Sequence, residues 1–167
     1  MKKWLLILLI GLCCFSAHAA KFYTLEEALA ETADQIAQSP HVPANATLAV
    51  VGFTESTTRV RLPLSNVLED DLTSFLIERR PRKVLAKSHI DTVLRELRVT
   101  RDDLFDSRNR KQFGKLASAD YIVCGSYWIN SQHVIINFTV VDIEKGLALF
   151  SHRVRIRKSQ FAKYLLK

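Results

Sequence analysis

Three arginines, Arg153, Arg155 and Arg157, recur every second residue near the carboxyl end of this 167-residue chain. In an extended strand that spacing places all three guanidiniums on one face and Val154 and Ile156 on the other. Like charges in a row repel one another. The pattern therefore points either to an edge strand guarded against aggregation or to a surface that meets an acidic partner. Arg59 and Arg61, alternating with Val60 and Leu62, extend the set of basic candidates. Catalytic chemistry is harder to assemble. Ser88, His89 and Asp91 are the residue types of a hydrolase, but their spacing fits a helix cap followed by solvated turn residues. Gly114-Lys115 lies within a helical pattern, where its amides cannot cradle a phosphate. Gly125-Ser126 lies inside a strand rather than on a nucleophile elbow. His41, His89, His133 and His152 have no metal-ligand spacing, so neither a metal nor a cofactor is expected. Cys124, between Val123 and Gly125, reads as a buried, inert thiol. The adjacent pairs Asp70-Asp71 and Asp102-Asp103 point in different directions and cannot share a proton. A non-enzymatic protein is the expectation, and a periplasmic hydrolase with a dispersed site is the distant alternative.

The elements that would hold these residues follow from periodicity. Thr24 and Glu27 form a capping-box pattern ahead of a helix to about Gln38, with Leu25, Ala28, Leu29, Ala33 and Ile36 on one face. Thr47 to Phe53 is β-rich and almost wholly apolar, as a strand covered on both faces would be. A polar loop over 54–62 leads to Pro63, which opens a helix striped by Leu64, Leu68, Leu72, Phe75 and Leu76 and ending at Arg79-Arg80-Pro81. Val84 to Ala86 reads as a short strand. Ser88 reads as the cap of a third helix carrying Ile90, Val93, Leu94 and Leu97. After a loop through Asp102 and Leu104, Asp106 caps a fourth helix with Phe113, Leu116 and Ala117. From Asp120 the period becomes two, giving strands over 121–129, 133–143 and 147–157, turned by Asn130-Ser131-Gln132 and Glu144-Lys145-Gly146. Gln160 to Leu166 reads as a short terminal helix. The order α-β-α-β-α-α-β-β-β predicts one α/β domain on a mixed sheet, ending in a β-meander.

Charge and hydropathy set the compartment. The chain carries a formal charge of +7, an isoelectric point near 9.5, 48% hydrophobic and 25% charged residues. This is globular composition, and in a cytosolic protein the charge would suggest nucleic acid. Lys2 and Lys3, however, precede an apolar run from Trp4 to Phe15, followed by Ala17-His18-Ala19. That order predicts a secretory signal peptide over 1–19, cleaved after Ala19. As a helix the run reaches about 18 Å against about 30 Å of hydrocarbon, which is short for an uncleaved anchor. The second rival is lipidation at Cys13 or Cys14, which wants a small preceding residue where Leu12 stands. No comparable run follows Ala20, so no membrane-spanning segment is expected after the leader. Cys124 remains the one cysteine beyond it, which excludes a disulfide framework. Export removes nucleic acid from the expected partners and leaves an acidic protein surface or anionic head groups.

Six segments in order resemble the FlgO family, exported flagellar outer-membrane assembly proteins. They are Thr24-Leu-Glu-Glu-Ala-Leu; Leu48-Ala-Val-Val-Gly-Phe; Leu64-Ser-Asn-Val-Leu-Glu-Asp-Asp-Leu; Lys83-Val-Leu-Ala-Lys through Leu94-Arg-Glu-Leu; Gly114-Lys-Leu-Ala-Ser-Ala-Asp-Tyr-Ile-Val-Cys-Gly-Ser; and Val140-Val-Asp-Ile-Glu-Lys-Gly. The resemblance covers 24–157 and leaves 158–167 as a short tail or helix. A similar α/β domain occurs in the curli-secretion channel protein, the amino-terminal domain of TolB and lipoprotein activators of peptidoglycan synthases. The resemblance implies a non-catalytic docking or scaffolding module in the periplasm, associated with the outer membrane through envelope or flagellar partners, with a homo-oligomer possible. An accessory regulator of peptidoglycan synthesis or of polysaccharide or curli export is the alternative. The segments lack the long alternating stretches of a membrane barrel.

Overall fold

The structure, a computed structural model, describes residues 23–79 and 83–161. The signal peptide expected over 1–19 and most of the expected terminal helix lie outside these residues. The elements follow the expected order: α1 (Leu25–Gln38), β1 (Thr47–Glu55), α2 (Pro63–Arg79), β2 (Lys83–Val84), α3 (Lys87–Leu97), a 3₁₀ turn (Asp102–Phe105), α4 (Ser107–Ala117), β3 (Tyr121–Ile129), β4 (His133–Asp142) and β5 (Ala148–Arg157). A second 3₁₀ turn, Lys158–Phe161, stands where the terminal helix was expected to begin, and its Phe161 is buried in the core. The sheet runs β2-β1-β3-β4-β5, parallel from β2 through β1 to β3 and antiparallel from β3 to β5. This is the mixed sheet with a carboxy-terminal meander that the sequence predicts.

Two helices lie on each face. On the first face, α1 and α2 pack Leu25, Leu29, Leu64, Leu68 and Leu72 against Leu48, Phe53, Val123, Phe138 and Ile156. Each such buried leucine contributes roughly 1.5–3 kcal/mol through apolar area removed from water. On the second face, α3 and α4 place Ile90, Val93, Leu94 and Phe113 over Ala49, Val51, Ile122, Cys124 and Ile143. Thr24 and Glu27 complete the expected capping box, and Asp106 accepts from the Arg108 and Asn109 amides. At Gly125 the chain tolerates no side chain, since an added Cβ would lie 2.1 Å from the Asn137 carbonyl oxygen and 2.8 Å from the Phe53 ring.

Several boundaries differ from the sequence reading. β1 continues through Thr54 and Glu55, because β3 offers Ser126 and Tyr127 as partners. The short second strand sits at Lys83–Val84, opposite Thr47 and Leu48. Ser88 is not a cap: α3 begins at Lys87 because the Ile90 amide already bonds the Ala86 carbonyl, and no side chain caps it. Leu116 is 47% exposed rather than on the core face. α4 approaches through Gly114, where a Cβ would meet Ile143 at 2.4 Å, and that rotation turns Leu116 outward. The segment through Asp102 and Leu104 is wound as a 3₁₀ turn. Thr100 fixes it by donating its amide and hydroxyl to the Asp103 carboxylate, which holds that carboxyl below its ordinary range.

Candidate functional site

The arginine strand lies where the period-two reading places it. β5 is the edge of the sheet, Val154 and Ile156 are buried in the first-face core, and Arg153, Arg155 and Arg157 are exposed on the second face. Strand register extends this face across β4 to β3. Arg155 pairs with Ile135 and Ile135 with Trp128; Arg153 pairs with Asn137 and Asn137 with Ser126; Ser151 pairs with Thr139 and Thr139 with Cys124; Arg157 pairs with His133. α3 and α4 pack over Ala49, Val51, Ile122 and Cys124, so the covering helices stop near the Cys124 row. Beyond it no helix among the described residues covers the sheet face.

The chemistry of this open face is one-sided. Its in-register residues are arginines, neutral hydrogen-bonding groups and apolar groups, with no carboxylate. Among the described residues, Arg153 and Arg155 make no ion pair. Trp128 is 45% exposed and Phe105, at the end of the first 3₁₀ turn, is 60% exposed. Ile135, between Trp128 and Arg155 in register, is buried. The outer edge of β5 is partly closed, as the Tyr23 amide donates to the Arg155 carbonyl and pairs the chain ahead of α1 with Ile156.

Arg59 and Arg61 are placed elsewhere. They sit in the β1–α2 loop, while β3 and β4 stand between β1 and β5, a separation of about 14 Å at about 4.8 Å per strand. This loop is built around Glu55, whose carboxylate accepts from the Thr57 and Thr58 amides and the Thr58 hydroxyl. Those bonds pull its pKa down to about 2. Arg59 is exposed, in the left-handed region at φ 59°. Arg61 turns inward and donates to the buried Glu69 carboxylate at 2.6 Å. Arg61 is thus part of an internal ion pair, not of the arginine face.

The Glu69 cluster was not evident from the sequence. β2 pairs only the start of β1, so further along, the β1 edge has no strand beside it, and a bulge places Gly52 there at φ 77°. The Gly52 amide donates to Glu69 on α2. Arg101 approaches the other Glu69 oxygen at 3.6 Å and donates to Asp91. The Glu69 Oε2 and Arg101 Nε atoms are buried and make no hydrogen bond to each other or to another group. The available signal was spacing: Ser65 and Glu69 each follow a buried stripe residue, Leu64 and Leu68, and both are themselves buried. A groove of about 710 Å³ beside this cluster is lined by Arg61, Asp91, Thr92, Arg95 and Arg101.

The other candidates are structural. Ser88 and His89 are exposed on α3, and Asp91 is held by Arg101. Asp70 pairs with Lys87 at 2.8 Å. Cys124 is buried, and burial pushes its thiol up to about 11. His152 faces α1 and meets the Thr32 hydroxyl at 3.0 Å; burial pushes its pKa down. Among the described residues no group of three His, Cys, Asp or Glu is arranged to hold a metal, and no helix is long and apolar enough to cross a membrane.

No protein-family model matches the chain, and a search of curated proteins finds no relative. Solved structures do share the fold. The LpoB C-terminal domain from Salmonella enterica superposes with a TM-score of 0.65 at 14% identity, covering 80% of this chain and 98% of that one. The LpoB C-terminal domain from Escherichia coli gives 0.65 at 12% identity over the same shares, 80% and 98%. Lipoprotein GNA1162 from Neisseria meningitidis gives 0.55 at 17% identity, covering 69% of this chain and 81% of that one. At these identities the likeness is one of fold.

Proposed function

We propose that this protein is a non-enzymatic accessory module of the bacterial envelope that works by docking to another protein through the open face of β3, β4 and β5. The observation that carries the reading is that face itself, on which Arg153 and Arg155 stand without a carboxylate beside an exposed Trp128. Tryptophan and arginine are among the residue types enriched at the few positions that dominate binding energy in protein interfaces. The fold shared with LpoB C-terminal domains and a Neisseria lipoprotein supports an envelope setting. The leader that the sequence pattern predicts over 1–19 supports export to the periplasm, with attachment to the outer membrane through the partner. The resemblance to the FlgO family supports flagellar assembly or function as the process served. The module needs no cofactor and takes no nucleic acid.

A second reading, accessory regulation of peptidoglycan synthesis or of polysaccharide or curli export, is favoured by the fold likeness to the LpoB domains. Flagellar genes beside this one would favour the first reading, and synthase or export genes the second. The docking itself is tested by recovery from envelope fractions. Wild type should be retained at low salt and released at high salt, whereas Arg155→Glu should be released at both with its melting temperature nearly unchanged. Equal recovery in all four samples would leave edge protection as the role of the arginines.

A further inference from the structure

The two faces of the sheet are covered unequally. On the first face α1 and α2 bury residues of β1, β3, β4 and β5, among them Phe53, Tyr127, Phe138 and Val154. On the second face the residues buried with α3 and α4 are Ala49 and Val51 of β1, Ile122 and Cys124 of β3, and Ile143 after β4, with none from β5 among the described residues. A strip of β3, β4 and β5 beyond the Cys124 row therefore carries no described helix. Its rows are Ser126–Asn137–Arg153 and Trp128–Ile135–Arg155. The strip is about 10 Å across from β3 to β5, and Arg153 and Arg155 stand about 6.6 Å apart along its β5 side. Those are the dimensions of a helix, which is about 10 Å across and sets residues i and i+4 about 6 Å apart along its axis. On the β3 side, opposite the arginines, the strip offers the exposed Trp128.

We infer that an acidic amphipathic helix of a different protein completes this second layer, lying along β4 with carboxylates at i and i+4 on Arg153 and Arg155 and an apolar stripe on Trp128. This rests on the docking reading above and names its occupant. Charge sets the sign, because the in-register residues of the strip include no carboxylate. Shape sets the class of partner. α3 and α4 stand beside the strip as a step one helix high, about 10 Å, which holds a flat bilayer off the arginines and which a single helix fills. The chain does not supply that helix itself. Residues 1–22 and 162–167 contain no acid. Among the described helices the acid pair at i, i+4 spacing is Glu27 and Glu31 of α1. Glu27 accepts from the Thr24 amide, and Glu31 accepts from Gln35 and is half-buried, so a second copy has no such face to offer.

The test reads the fluorescence of the purified exported chain. The sequence has two tryptophans, and Trp4 lies in the expected leader, so the exported chain reports through Trp128. The probe is an alanine-rich peptide of about 18 residues, long enough to hold a helix alone, with a leucine stripe, glutamates at i and i+4 beside it and no aromatic residue. At low salt this peptide should move Trp128 emission to shorter wavelength and saturate, and about 1 M salt, where charges act only within about 3 Å, should abolish the shift. Arg155→Glu should weaken binding at least tenfold with unchanged circular dichroism, and Arg155→Gln replaces it if that variant melts early. The same peptide with lysine for glutamate should bind the Arg153→Glu, Arg155→Glu double variant and not the wild type. A central proline, which breaks the helix and keeps the charge, should weaken binding at least tenfold. No saturable shift up to about 1 mM peptide overturns the inference, as does a shift indifferent to Arg155→Glu or equal for the proline peptide. A stronger Arg155-dependent shift with phosphatidylglycerol vesicles would give the face to a membrane and overturn it as well. If the helix falls while Arg155→Glu still loses envelope retention, docking stands with a partner of another shape. If Arg155→Glu changes neither peptide binding nor retention, both readings fall.

Discussion

Arg61 and Arg101 are drawn inward onto Glu69, while Arg153 and Arg155, at the other edge of the same sheet, stand outward with no ion pair among the described residues. The difference lies in what the surrounding backbone leaves unsatisfied. Beside β1 the sheet is interrupted after two residues of β2, the Gly52 amide lacks a strand partner, and a buried carboxylate fills the gap and gathers cations around itself. Beside β5 the inward-facing Val154 and Ile156 are apolar and His152 already meets the Thr32 hydroxyl, so nothing there recruits the guanidiniums. Arginine type alone does not mark a surface for docking. What marks it is a cation that the fold gives no internal task.

The largest expected effect falls on the inward group. Glu69→Ala removes the acceptor for the Gly52 amide, leaves Arg61 without a carboxylate and leaves Arg101 with Asp91 alone, in a site where the carboxylate is only 2% exposed. Loss of one partner from a buried ion cluster costs about 3–5 kcal/mol. Urea denaturation should register that loss, and a change below about 1 kcal/mol would erase the contrast between the two arginine groups. A smaller effect is expected at Cys124, in the row where covered sheet gives way to open sheet. Cys124→Ser buries a hydroxyl and should cost about 1–3 kcal/mol if unpaired. Cys124→Ala should be milder, and motility or envelope retention should persist at normal protein levels.

Most of the fold was legible because its signals are local. The stripe Leu64, Leu68, Leu72 and Leu76, the box at Thr24 and Glu27, and the alternation through β4 and β5 each declare an element from within a short window. The arginine face was legible for the same reason, since period two fixes a side-chain face wherever the strand lies. What was not legible depends on tertiary placement. Leu116 has the right residue type and near-correct spacing, but Gly114 decides which side of α4 comes down on Ile143. Arg61 resembled its neighbour Arg59 until Glu69, eight residues on, claimed it. The openness of the Trp128 face is a property of where α3 and α4 end, which no strand sequence carries.

The loop between the two regions offers a pH test. Glu55 in the folded chain titrates at about 2 against an ordinary 4.5, because the Thr57 and Thr58 amides bond its ionised form. As pH falls, the unfolded chain takes up this proton first. Its stabilisation is therefore complete above about 4.5 and is lost progressively as pH falls toward about 2. Comparing wild type with Glu55→Gln at about pH 6 and about pH 3, the gap between the two proteins should narrow on the acid side. A gap that stays constant would mean that the loop does not hold Glu55 ionised.

The smallest stability change is expected at the outward group, and its smallness sharpens the comparison. Arg155 is exposed, makes no ion pair among the described residues, and neighbours Arg153 and Arg157 at about 6.6 Å on the same face. Replacing it by glutamate removes two repulsions and creates two attractions, all in high dielectric, so the net should lie within about 0.5 kcal/mol of zero and on the stabilising side at low salt. Adding salt should shrink the gain, because repulsions on an open surface are screened while buried ion clusters are screened much less. Glu69→Ala should therefore keep its full penalty under the same salt increase. A parallel salt titration of both variants reads this directly. A loss above about 1 kcal/mol for Arg155→Glu would mean that the arginine braces the Ile135 row instead of waiting for a partner, and the two arginine groups would then differ only in depth.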